Sequence, residues 1–277
     1  MAWESFKQNL LTEVAQRIEK RGDAQHQAAL HNLSAAFYGH FPPEDMRGRS
    51  AENLYGCLYG WLRFMHRWPD RAPKVRIFNP QMKKHGWECK YTVVSILCRD
   101  MPFCTASVRG ELNRRGLEVH TIASCNVATR RDDEGNLDKV LAGNHVDDTT
   151  VSRESLLYFE ISRHAHPSEL EELRDTLTAI LSNVALVVDD FKAMRQALKV
   201  ATEHVRGSEC VSQDFRDEAI AFLDWLEHNH MTFLGYEYLD VSYSGGKPHV
   251  SIDQSHSLGM LRKRHTRGEQ DLLADLH

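Results

Sequence analysis

Residues 91–188 alternate between stretches of strand and helix periodicity, and this order constrains the fold more than any other feature. Residues 91–98 are rich in apolar and β-branched side chains, which is typical of a buried strand. Asp100 and Pro102 then suit a helix start, because a carboxylate accepts hydrogen bonds from free N–H groups and proline has no N–H to leave unpaired. Apolar side chains every four positions continue the predicted helix as far as Gly116.

The second half of the stretch repeats this order. Residues 117–127 and 155–162 alternate apolar and polar side chains and predict strands, with residues 137–141 as the returning arm of a hairpin. Ser168 and Glu171 have the spacing of a capping box before a second helix, and the apolar run 184–188 is interpreted as a closing strand. The order β-α-β-β-α-β predicts a ferredoxin-like sandwich, an antiparallel sheet with two helices on one face.

The flanking sequence predicts further elements and an α+β fold class. We expect an N-terminal helical layer at 1–72, the βαββαβ domain at 73–188, connecting helices at 189–230 and the start of a second β-containing unit at 231–277. Asp189 or Asp190 is the expected cap of the first connecting helix. The glycine pair at 245–246 predicts a hairpin turn, and the chain stops within a predicted helix, which suggests a fragment of something longer.

Composition excludes several classes of function. A net charge of -5 offers no general attraction for nucleic acid or anionic lipid. There is no run of 18 apolar residues and no signal-peptide core, so we expect a cytoplasmic protein. The sequence holds six cysteines without a CxxC pair, which favours reduced and mostly buried thiols over disulfides or zinc.

No short motif of catalysis or cofactor binding is present. The sequence lacks GxGxxG, GxxxxGK[ST], GxSxG and HExxH. His164 with His166, and His228 with His230, are the close histidine pairs, but no third ligand is suggested for either. We therefore expect no metal site, no bound cofactor and no catalytic residues within these 277 residues.

Several short motifs in one order resemble the N-terminal region of the large NAD-specific glutamate dehydrogenases. The resemblance spans roughly residues 50–265 and carries more weight than any single motif. The matching segments are residues 53–55, 62–64, 74–80, 85–87, 100–103, 107–108, 112–116, 154–155, 222–226, 233–236 and 258–262.

The resemblance implies that the complete enzyme deaminates L-glutamate oxidatively to 2-oxoglutarate and ammonia with NAD as hydride acceptor. It also implies ACT-type regulatory domains in this region, which are βαββαβ units that commonly pair and bind amino acids. The expected partners are the enzyme's own catalytic domain and other subunits of a homo-oligomer, with a possible amino-acid effector and no nucleic acid or membrane.

The strand-to-helix junction is the candidate effector site, because a helix N-terminus attracts a carboxylate. Its candidate residues are Asp100, Met101, Phe103, Thr105 and Ser107, with His120 and Ser124 on the adjoining strand. Phe103 stands where amino-acid-binding ACT domains usually have glycine, and a phenylalanine there can fill the pocket. Two alternatives therefore stay open, an amino-acid-sensing module and a purely structural oligomerisation module without a small ligand.

Overall fold

A computed structural model describes residues 2–143, 148–244, 247–252 and 254–263. The chain divides into two compact units, residues 1–182 and 183–277. The predicted turn at 245–246 and the chain end beyond residue 263 lie outside the described residues.

The first unit contains three long N-terminal helices, then a sheet with two further long helices. Its helices are α1 (Ala2–Glu19), α2 (Ala24–Gly39), α3 (Ala51–Met65), α4 (Met82–His85), α5 (Cys104–Arg114) and the first part of α6 (Pro167–Arg206). Its strands are β1 (Lys74–Phe78), β2 (Thr92–Arg99), β3 (Val119–Arg131), β4 (Leu137–Leu141) and β5 (Ser152–Ile161). The predicted α+β class is confirmed.

The five strands form one antiparallel sheet in the order β1-β2-β5-β3-β4. Strands β2 and β3 both run antiparallel to β5, so they are parallel to one another, with α5 as the crossover between them. Strand β5 lies between these two parallel strands, which is the split βαβ arrangement. The order predicted for residues 91–162 is therefore present.

The fourth strand of the sandwich differs from the prediction. Residues 184–188 were expected as a strand, but they lie inside α6, and β1 occupies the sheet edge beside β2. No glycine or proline interrupts residues 168–206, and a short apolar run fits a buried helix as well as a strand. The helix cap expected at Asp189 or Asp190 is wrong for the same reason, because both residues lie in the interior of α6.

Helices cover both faces of the sheet. Alternate strand residues such as Val93, Leu97 and Tyr158 belong to one buried cluster with side chains of α1, α2 and α3. Val94 and Ile96 point to the other face, where the buried residues of α5 and of the first part of α6 pack. Because β2 and β5 are buried on both faces, their sequences are almost continuously apolar.

The second unit begins with the remainder of α6 and continues with α7 (Gln213–Trp225), a π-helical turn (Leu226–His230) and short strands. These strands are β6 (Gly235–Tyr236), β7 (Leu239–Ser244), β8 (Lys247–Ile252) and β9 (Leu258–Gly259). Asp190 accepts hydrogen bonds from the Gly259 N–H at 2.7 Å and from Arg262 at 2.5 Å. None of the described helices is long and apolar enough to cross a bilayer.

Helix α3 lies close to the backbone of residues 86–87 at Gly56. A Cβ atom at this position would lie 2.6 Å from the Gly86 carbonyl oxygen and 2.7 Å from the Trp87 Cβ. Real Cβ atoms do not approach backbone that closely, so only glycine lets residues 86–87 lie against the helix.

We expect Gly56→Ala to lower the free energy of unfolding by about 2 kcal/mol, because overpacking at this contact exceeds the gain in helix propensity. Chemical denaturation of the purified chain measures the change. Gly110→Ala in α5 is the matched control, since a Cβ there meets nothing within 4 Å. Equal effects of the two substitutions would contradict the assigned packing.

Candidate functional site

The predicted junction lies between β2 and α5, where Asp100 already has protein partners. Its carboxylate accepts a hydrogen bond from Asn126 at 2.9 Å and pairs with Arg153 at 3.0 Å. Helix α5 begins only at Cys104 and has no side-chain cap, so the expected capping by Asp100 is wrong. The carboxylate instead ties the end of β2 to β3 and β5.

Phe103 has a left-handed backbone, with φ at 69°. This conformation is costly for any residue with a Cβ and explains why glycine suits the position. The Phe103 side chain is 56% exposed, so it does not fill a pocket in this chain. Of the neighbouring candidates, Met101 is buried, whereas Thr105 and Ser107 are half-buried on α5.

The sheet register separates His120 from this junction. His120 stacks on Tyr91 with ring centroids 4.2 Å apart, at the start of β2, whereas Asp100 follows the end of that strand. The eight residues of β2 place the two residues about 25 Å apart. Ser124 is exposed midway along β3, opposite Leu157. Five of the seven candidate residues thus lie together only because they are neighbours in the chain, whereas His120 and Ser124 lie on β3. The effector site stays a prediction.

A second arrangement lies between the N-terminal helices and the sheet, around a cavity of about 350 Å³. At its inner end Arg49 donates hydrogen bonds to both carboxylate oxygens of Glu160, at 2.7 and 2.9 Å. Glu160 is completely buried near the end of β5. Tyr158 donates to the same carboxylate at 2.6 Å, and Thr121 also hydrogen-bonds to it.

Electrostatics at this cavity stabilise ionised Glu160 and neutral thiols. Burial raises the pKa of Glu160, but hydrogen bonds and the charge of Arg49 outweigh burial and hold the pKa below its ordinary value. Burial raises the pKa of Cys57 to about 12 and that of Cys89 to about 11. Both thiols are therefore protonated at neutral pH, so neither is an activated nucleophile.

Sequence reasoning missed this arrangement. Glu160 stands on the same strand face as Leu156 and Tyr158, and a carboxylate among such neighbours needs a partner once it is buried. The partner, Arg49, is 111 positions away in the chain. The alternation of side chains along β5 indicates that Glu160 is buried, but no spacing in the sequence identifies Arg49 as its partner.

The remaining predicted groups are accounted for by simple contacts. His164 lies 3.2 Å from Glu169, and His228 and His230 hydrogen-bond to backbone carbonyl oxygens of α7. Among the described residues no group of three metal-ligand side chains occurs. All six cysteines are free, and those buried are Cys57, Cys98, Cys104 and Cys125.

Arg49→Met should lower the free energy of unfolding by about 3–5 kcal/mol at neutral pH, because it leaves Glu160 buried without a cation. In the wild type, the depressed pKa of Glu160 contributes stability above the unfolded value near 4.5 that is lost as pH falls through the folded pKa. In the variant, burial alone raises that pKa. Urea denaturation should therefore show the stability difference shrinking from pH 7 to about pH 5.

Arg17→Met is the matched control. Arg17 pairs with Glu52 at 2.5 Å, but both side chains are more than a third exposed. Such pairs contribute about 0–1 kcal/mol. If Arg49→Met lowers the free energy of unfolding no more than Arg17→Met does, Glu160 is not ionised in the folded chain.

Phe103→Gly should be more stable than Phe103→Ala by about 1 kcal/mol, because both remove the ring and only glycine adopts the left-handed backbone without strain. Thermal unfolding measures the difference in stability between the two variants, which isolates the free-energy cost of the left-handed backbone at residue 103. Equal stabilities would mean that residue 103 does not hold φ near 69° in solution.

Comparison with known proteins places the chain in a family. A profile described as "Glutamate dehydrogenase, ACT1 domain" matches residues 33–177, just over half of the chain. An NAD-specific glutamate dehydrogenase of Halomonas elongata is 36% identical over 278 residues, covering all of this chain and 17% of that protein. An NAD-specific glutamate dehydrogenase of Pseudomonas aeruginosa is 34% identical over 259 residues, covering 93% of this chain and 16% of that protein.

The chain therefore spans about one sixth of the length of these curated relatives. The profile match includes α3, the whole five-stranded sheet and α5. The chain belongs to the family of glutamate dehydrogenases that contain the ACT1 domain.

Proposed function

We propose that the chain is the N-terminal regulatory and assembly segment of an NAD-dependent glutamate dehydrogenase. The complete enzyme oxidatively deaminates L-glutamate to 2-oxoglutarate and ammonia while reducing NAD. The observation that carries the proposal is the alignment of the whole chain with only 17% of a protein named as an NAD-specific glutamate dehydrogenase. The ACT1 match over residues 33–177 supports the regulatory role.

We expect no NAD site within this chain. The sequence lacks the glycine-rich loop that lets a backbone approach a pyrophosphate. The cavity beside Glu160 offers protonated thiols and a saturated ion pair instead of a nucleophile with its base. We therefore assign NAD binding and hydride transfer to the remainder of the polypeptide. The cytoplasmic location stays a prediction from the sequence.

Two roles remain for the segment itself. The effector role is supported by the junction around Asp100 and Thr105, although Asp100 already pairs with Arg153. The assembly role is supported by the two edges of the sheet, β1 and β4, each of which pairs on one side only within the described residues. An edge strand offers backbone groups to a further strand, as in a second subunit.

NADH production from L-glutamate should occur with the complete polypeptide and not with the 277-residue chain. Absorbance of NADH measures both reactions under the same conditions. The chain added alone to glutamate and NAD is the direct test, and the complete polypeptide without NAD is the control. Turnover by the short chain would overturn the assignment of catalysis to the remaining sequence.

A panel of amino acids separates the two roles of the segment. An effector present at a hundred times its dissociation constant should raise the free energy of unfolding by about 2.7 kcal/mol. Thermal unfolding measures this shift, and light scattering measures the oligomeric state of the same samples. No shift with any amino acid, together with a stable oligomer, would favour the assembly role.

A further inference from the structure

We infer that a basic cavity between α3 and β1 binds a small anion with two negative charges, of the phosphate or dicarboxylate class. The cavity has a volume of about 350 Å³ and is distinct from the one beside Glu160. Helix α3 supplies Tyr59 and Arg63, and β1 supplies Arg76. Lys84, His85 and Trp87 line the remaining side.

The lining of this cavity carries several positive charges and no negative charge. It includes the side chains of Arg63, Lys74, Arg76 and Lys84, together with His85, and no carboxylate. Among the described residues none of these four cations forms an ion pair. By contrast, the cavity at Glu160 balances its cations with Asp45, Glu88 and Glu160. An uncompensated cluster in a recess attracts anions more strongly than the same charges on an open surface.

Arg76 is held in place by aromatic rings and still lacks acceptors. Its guanidinium carbon lies 4.8 Å from the ring centroid of Phe64 and 4.4 Å from that of Phe78. Its Nε is buried without a hydrogen-bond partner. A buried donor without an acceptor is costly, and natural structures usually satisfy such groups. An anion in the cavity would bring acceptors to this guanidinium.

Two N–H donors converge on the space above Gly60. A Cβ atom at Gly60 would lie 3.6 Å from the Trp87 Nε1 and 4.0 Å from the Arg76 Nη2. The absence of a side chain keeps this space open, although glycine within a helix is disfavoured relative to alanine. An oxyanion placed there can accept from both donors, much as backbone cradles accept phosphate.

Burial and neighbouring cations lower the pKa of two titratable groups in the cavity lining. Burial, followed by the charges of Arg131 and Arg76, lowers the pKa of Lys74, and the carboxylate of Asp70 opposes this shift in part. Burial, followed by Lys84 and Arg76, lowers the pKa of His85. A dianion would stabilise the charged forms of both groups, so binding should be accompanied by proton uptake at His85.

The geometry limits the size and charge of the ligand. Lys74 already donates to the carbonyl oxygens of Phe64 and Arg67, at 2.7 and 3.1 Å. Arg63, Arg76, Lys84 and the Trp87 indole remain as donors, which suits an anion with several oxygens. Phosphate and short dicarboxylates share this chemistry and fit easily within about 350 Å³.

The test uses isothermal titration of the 277-residue chain with inorganic phosphate and, separately, with succinate, at constant ionic strength set by sodium chloride. We expect saturable binding of one or both, and the stronger ligand identifies the class. Gly60→Ala should weaken binding about tenfold or more, because its methyl group occupies the cradle of a charge-assisted hydrogen bond. Its fold should be retained, since the contacts of that methyl group are of ordinary length.

Two matched controls accompany these variants. Gly110→Ala makes the same change in α5 with open space around it, and should leave affinity unchanged. Arg63→Gln is a second test variant and should weaken binding about tenfold. Arg67→Gln is its control, because Arg67 is also exposed but lies outside the cavity lining, and it should leave the affinity unchanged. Arg63 is itself exposed, so its substitution is not expected to prevent folding.

Absence of saturable binding for both anions would overturn the inference, as would equal affinity in Gly60→Ala and the wild type. A response that follows ionic strength alone, and is the same for chloride, would also overturn it. None of these outcomes affects the proposed dehydrogenase role, because that role is tested by NADH production from the complete polypeptide.

Discussion

Helix α3 is clamped at both ends to the central strand of the sheet by two arginine–glutamate pairs. Arg49, just before the helix, binds Glu160 near the end of β5. Arg131 binds Glu154 near the start of β5, at 2.6 and 2.8 Å, and also donates to the carbonyl oxygen of Met65 at the end of α3. Both glutamates are fully buried.

The dimensions of helix and strand make this double clamp possible. The 15 residues of α3 span about 22 Å, and the six steps from Glu154 to Glu160 span about 20 Å. Each carboxylate is satisfied by a bidentate arginine, so burial does not leave a charge unpaired. The clamp positions α3 over the sheet and with it both cavities, since each is lined partly by this helix.

The sequence predicts local elements well and long-range pairs poorly. Strand β3 and helix α5 follow from periodicity, because each buries one face or one stripe, whereas β2 follows from its run of apolar and β-branched side chains. The strand predicted at 184–188 is wrong, since five apolar residues fit a strand or a buried helix and only the absence of a breaker up to Arg206 decides between them. Partners such as Arg49 and Glu160, or Arg76 and Trp87, depend on how distant segments pack, so periodicity contains no information about them.

Gly56 and Gly60 stand one turn apart on α3 and face different demands. A methyl group at Gly56 would collide with backbone, whereas one at Gly60 meets only side-chain nitrogen atoms at ordinary distances. Selection for folding alone would thus hold glycine at 56 and let alanine replace it at 60. Among related chains, we therefore expect glycine at position 60 where the space beside Trp87 binds an anion, and alanine at that position where anion binding has been lost.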